Sequence, residues 1–140
     1  MWRVSTRKVE AFFYGLFMDV EVLRQGGAKP ANPRRAYVAD FALRIGQRAT
    51  LVPSPGARAY GMLIALTRVE LERLYNAPGL EHYRPEAVLA QPTDGIAVPA
   101  LCYNLLKAPE SHERNPDYAL RLKGVLTKLG FPGDYVASIG

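Results

Sequence analysis

Tyr14-Gly15-Leu16 is the segment of this chain best suited to chemistry. It closes an apolar and aromatic run, Val9 to Tyr14, and a short helix opens just beyond it. Glycine has no Cβ, so a ligand can come close to the backbone there. The N–H groups of such a strand-to-helix turn point outward and can hold a carboxylate or carbonyl oxygen. Tyr14 could simply pack, but the adjoining glycine makes it a candidate pocket residue. The single Cys102 lies in an apolar run, which predicts a buried thiol rather than a nucleophile, and it can form no internal disulfide.

The chain around that turn has 140 residues, which favours one domain spanning 1–140. A domain of that size buries roughly two thirds of its unfolded surface and needs no staples. No apolar run approaches the ~20 residues of a membrane span, so no membrane association is expected. The basic start, Met1 to Lys8, leads into no leader-type apolar region, because Tyr14-Gly15 and Asp19 interrupt it; this predicts a cytoplasmic protein. The net charge of +5 is scattered, with no basic run interleaved with aromatics and no nucleic-acid motif. That pattern predicts no nucleic-acid partner and a mild attraction for small anions.

Strand signals dominate the elements that must position the turn. Val9 to Tyr14, Ala36 to Leu43, Ala49 to Val52 and Ala59 to Leu66 read as strands, with Pro53-Ser54-Pro55-Gly56 as a turn. Lys29 to Pro33 reads as a loop. Tyr83 to Ala90 and Val98 to Leu106 read as a hairpin around Asp94-Gly95. Helices are predicted after the Asp19 cap (Val20 to Gln25), after the Thr67-Arg68-Val69-Glu70 capping box, and from about Pro116 to Leu129 behind Asn115. In the last, Tyr118, Leu122, Val125, Leu126 and Leu129 share one apolar face. Phe131 to Val136 reads as a closing apolar contact. Grouped strands with singly inserted helices argue for an α+β fold, a curled mixed sheet with helices outside.

Four segments resemble the gamma-glutamylcyclotransferase-like superfamily, over about Val9 to Val136. Phe13-Tyr14-Gly15-Leu16-Phe17-Met18 is similar to its Phe-x-Tyr-Gly-Ser-Asn-Leu loop. Ala49-Thr50-Leu51-Val52-Pro53 with Tyr60-Gly61-Met62-Leu63 is similar to its middle strands. Thr67 to Leu74 resembles the helix leading to its Leu-Asp-x-x-Glu-Gly motif. Asn115-Pro116-Asp117-Tyr118 and Gly130-Phe131-Pro132-Gly133-Asp134-Tyr135 resemble its closing Pro-Ser-x-x-Tyr and Gly-Leu-Pro-x-x-Tyr. The resemblance implies a small mixed β-barrel with peripheral helices. It also implies cyclisation of a gamma-glutamyl amine to 5-oxoproline with release of the amine, without cofactor or metal. In that reaction one glutamate moves the proton of the attacking amine, loop N–H groups hold substrate oxygens, and ring closure within one molecule favours the rate.

The sequence departs from that pattern where the chemistry is done. The Leu-Asp-x-x-Glu-Gly motif falls on Leu74-Tyr75-Asn76-Ala77-Pro78-Gly79, so Pro78 stands at the glutamate position, and Leu16-Phe17 replace the loop's Ser-Asn. Glu81, three residues on, is the candidate displaced acid/base; its other reading is a solvated loop residue. Glu86 is a weaker candidate, and His82 either titrates near neutrality or is a surface histidine. Tyr14, Gly15, Leu16, Tyr83 and Tyr103 are the expected substrate-binding residues, with core packing open for Tyr103. Two readings follow: an active cyclotransferase relying on Glu81, or a member without catalysis that binds a small carboxylate ligand or a protein partner.

Overall fold

Apolar runs without alternation belong to strands covered on both faces, and Ala11-Phe12-Phe13 and Met62-Leu63-Ile64 are such runs. The computed structural model describes residues 7–140; most of the basic start read above lies outside them. The strands are β1 (Lys8–Phe13), β2 (Ala31–Ile45), β3 (Ala49–Thr67), β4 (Tyr83–Pro92) and β5 (Val98–Leu105). They close into a barrel in the order β1-β3-β2-β4-β5. Neighbours are antiparallel except β1 and β5, which meet in parallel at Ala11 and Leu101. This is the small mixed barrel that the resemblance implied.

Phe12 and Leu63 point into the barrel with Val38, Leu51, Val88 and a set of small residues, Ala36, Ala59, Ala90, Ala100 and Cys102. Small side chains suit so narrow a barrel. Phe13, Met62 and Ile64 point outward and are covered by helices. These are α1 (Val20–Gln25), α2 (Arg68–Tyr75), α3 (Pro116–Lys128) and α4 (Gly133–Ser138). From α3, Ala119, Leu122 and Leu126 complete this outer core.

The cap signals act as read. Asp19 accepts from the Glu21 N–H at 3.0 Å, Asn115 accepts from the Tyr118 N–H at 3.1 Å, and both arms of the Thr67–Glu70 box are present. Two expectations need correction. Pro53-Ser54-Pro55-Gly56 does not reverse the chain: it lies inside the 19-residue β3, and the hairpin to β2 turns at Gly46–Arg48 instead. The segment bulges opposite Asp40, whose carboxylate accepts the Gly56 N–H at 2.9 Å, and prolines are tolerated where a ladder is interrupted. β2 begins at Ala31, within the expected loop, with a register shift that absorbs Asn32 and Pro33. The tail makes the expected apolar contact, with Phe131 in the outer core and Tyr135 and Val136 packed against it, and it also winds into α4, with Asp134 in its first turn.

Candidate functional site

β1 delivers Tyr14 and Gly15 to the end of the barrel. The Tyr14 hydroxyl donates to the Tyr103 carbonyl at 2.7 Å and fixes the strand end. Gly15 is extended and opens a single 3-10 turn, Leu16–Met18, closed by the Met18 N–H on the Gly15 carbonyl at 3.0 Å. A Cβ at Gly15 would collide with the Tyr118 hydroxyl, which α3 brings against this backbone. Beside the turn lies a cavity of about 260 Å³. Phe13 to Phe17 form one side of it, Tyr75 from α2 and Tyr118 from α3 another, and Leu80 and Tyr83 from the α2–β4 segment a third. Aromatic rings dominate the wall. Phe17 meets Phe13 and Tyr75 edge-on, and Tyr75 stacks on Tyr103 with centroids 3.8 Å apart and planes 8° from parallel.

The remaining wall comes from Gln47, Arg48 and Ala49 of the β2–β3 hairpin. The hairpin strands pair with each other up to the turn, while β5 pairs with β1 and β4, so side chains bolt the hairpin to β5 and β4. The Leu105 N–H donates to Thr50 Oγ1 at 2.9 Å, the Leu51 N–H to Asn104 Oδ1 at 3.2 Å, and the Tyr83 hydroxyl to the Ala49 carbonyl. Among the described residues Thr50 and Asn104 are the buried polar side chains, as expected of groups held for their hydrogen bonds. The turn itself is strapped from outside: Glu113 accepts the Gln47 N–H at 3.1 Å and Asn115 donates to the Gln47 carbonyl at 3.1 Å. Those bonds hold the Glu113 carboxyl below its usual range, the Gln47 N–H first and the Glu110 N–H after it.

The electrostatics of the cavity are simple. Arg48 is its charged side chain, exposed at the mouth beside Gly79. The tyrosines stay protonated. Burial pushes Tyr14 and Tyr75 well above the ordinary phenol value, raises Tyr118, and brings Tyr83 to about 12. Burial likewise lifts the Cys102 thiol, inside the barrel, to about 12, so it is no nucleophile. Among the described residues no three His, Cys, Asp or Glu side chains come together to hold a metal ion. No described helix is long and apolar enough to cross a membrane.

A family model described as gamma-glutamyl cyclotransferase, AIG2-like, matches residues 11–120. The chain belongs to that family. Among solved structures it is similar to one described as gamma-glutamyl cyclotransferase, at 22% identity and TM-score 0.78 over 96% of this chain and 89% of the other. It is equally similar to the uncharacterised human protein loc79017, at 22% identity and TM-score 0.78 over 95% and 88%. YkqA from Bacillus subtilis matches at 20% identity and TM-score 0.76, over 94% of this chain and 52% of its own. At these identities the likeness is one of fold. No curated protein matches the sequence.

Within this gamma-glutamyl cyclotransferase-like barrel the candidate residues separate. Tyr14, Gly15, Leu16 and Tyr83 line the cavity together. Tyr103 stands one layer behind, its ring against Tyr75. Pro78, Glu81 and His82 are exposed and form no part of the lining, although Leu80 between them does. The Glu81 carboxyl is held below its usual range, first by its own backbone N–H, then by that of Gly79 and the charge of Arg48. Glu86 is also exposed and accepts from the Asn104 amide. The sequence reading missed Tyr75, Tyr118 and Arg48 as site residues. The first two were visible as the residues at the motif positions of the family's Asp and closing Tyr. Arg48 had no such signal.

Proposed function

We propose that this family member binds a small carboxylate-bearing compound in the cavity, a gamma-glutamyl amine or another small acid, and leaves it uncyclised. One observation carries the reading: Arg48 is the charged residue of the lining, and no carboxylate belongs to it. A guanidinium at the mouth can pair with a carboxylate through two parallel N–H bonds. Cyclisation needs more. The ammonium of the substrate must lose a proton before it attacks, so a base must stand within hydrogen-bond reach. Phenols kept protonated by burial cannot accept that proton. A carboxyl depressed by backbone donors, as at Glu81, is a weakened base.

The test is incubation of the chain with a panel of gamma-glutamyl amines, following both binding and 5-oxoproline. Binding without 5-oxoproline is expected; 5-oxoproline in proportion to protein overturns the reading. One observation favours the family activity instead. Arg48 lines the cavity and its charge acts on the Glu81 carboxylate, which supports a role for Glu81 close to the mouth. On this second reading Glu81 serves as the displaced acid/base when substrate is bound.

A further inference from the structure

Beyond the presence of a carboxylate, the walls of the cavity select the rest of the ligand. We infer, resting on the reading above, that the cavity takes a compound with one carboxylate and an aromatic or branched apolar body: the carboxylate at Arg48, the body against Phe17, Tyr75 and Leu80. Three observations lead there. Tyr14 and Tyr83, the hydroxyl-bearing side chains nearest the barrel, donate to the protein's own carbonyls of Tyr103 and Ala49. Their hydroxyl protons are thus committed within the protein and are not free donors to a ligand. Phe17 and Tyr75 touch edge-on at 5.8 Å between centroids and form one continuous apolar wall. Leu16, Phe17 and Tyr75 are also positions at which this sequence departs from the polar pattern it resembles, and the fold collects all three on one cavity.

Size agrees with this. An apolar cavity of about 150 Å³ takes a benzene ring, so the 260 Å³ found here accommodates a ring, a short linker and a carboxylate at the mouth. Each buried methylene adds to binding, and one group in an apolar pocket changes affinity by roughly 10–200-fold.

Calorimetric titration of the chain with paired probes tests the inference. The pairs are 3-phenylpropionate against propionate, and gamma-glutamyl phenethylamide against gamma-glutamyl methylamide; phenethylamine supplies the ring without the anion. The aromatic member of each pair is expected to bind at least about tenfold more tightly, with no binding of phenethylamine. Arg48→Met should weaken 3-phenylpropionate by about tenfold or more with an unchanged melting temperature, because Arg48 is exposed. Leu16→Ser should narrow the gap within each pair. Equal affinities within the pairs would overturn the inference and leave carboxylate binding standing. Phenethylamine binding as tightly as 3-phenylpropionate would overturn the assignment to Arg48. If no carboxylate binds, both the inference and the reading beneath it fall.

Discussion

The Tyr118 hydroxyl occupies the space that a side chain would fill at Gly15. The glycine read in the sequence as an opening for a ligand is thus also the seat of a tyrosine from α3. The backbone of Gly15 is extended, not left-handed, so closeness of packing and not conformation demands glycine here. Gly15→Ala should therefore cost about 1 kcal/mol, the low end for overpacking, since the obstructing atom is the tip of a side chain. Tyr118→Phe in the same chain should recover most of that loss. Urea unfolding of the two single variants and the double variant checks the coupling; strict additivity would show that the two residues do not meet.

Asn104 is the bolt between the β2–β3 hairpin and β5. Asn104→Ala leaves the Leu51 N–H without its acceptor, and a buried unsatisfied donor costs about 1–3 kcal/mol. Because the same bond holds the arm that carries Arg48, ligand affinity should fall along with stability. Thr50→Val should act the same way through the Leu105 N–H. Denaturant unfolding together with calorimetry on the surviving folded protein separates the two effects. Unaltered affinity would show that Arg48 is positioned without these bonds.

Alkaline pH should destabilise the fold through its tyrosines. Burial raises Tyr83 and Tyr135 to about 12 and raises Tyr14 and Tyr75 as well. In the unfolded chain a tyrosine loses its proton near about 10. A group with a raised folded value contributes stability that is intact below the unfolded value. That contribution is lost as pH climbs through the folded one. The melting temperature should therefore be level up to about pH 10 and fall between there and about 12. Tyrosinate absorbance should rise with unfolding. Tyr83→Phe should make the fall shallower; an unchanged profile would contradict the assignment.

Glu81 distinguishes the two functional readings. Glu81→Gln removes a fully exposed carboxylate, so melting temperature and ligand affinity should stay close to those of the parent chain. If Glu81 were the acid/base, the parent chain would form 5-oxoproline and the variant would be slower by about 10²–10⁴-fold. Pro78→Glu is the companion experiment. Tyr75, Leu16 and Phe17 have also lost polar character, so restoring this one carboxylate is expected to give no turnover.

What was legible in the sequence divides along the range of the forces involved. The capping residues Asp19, Thr67 and Asn115 act on their own helices within a few residues, and each is found as read. The apolar runs of β1 and β3 announced strands covered on both faces. Arg48 could not be found this way. Its hairpin is pinned beside the cavity by bonds that join Thr50, Asn104, Glu113 and Asn115, three of them distant from it in sequence. Pro53-Ser54-Pro55-Gly56 carries every local mark of a turn, yet the segment bulges opposite Asp40 of β2, and β3 runs on. The helix α4 was missed because its six residues are too few to show a period.

On the proposed reading the cavity holds a carboxylate-bearing compound and does not cyclise it. The most direct test of that reading is one proton NMR time course of gamma-glutamyl phenethylamide incubated with the chain. Saturation transferred from protein to the phenyl protons reports binding, and the ring protons of 5-oxoproline report turnover. The expected result is strong transfer to the phenyl group, lost in Arg48→Met, with the amide intact throughout. Accumulation of 5-oxoproline and free phenethylamine in proportion to protein, or no transfer at all, would contradict the account.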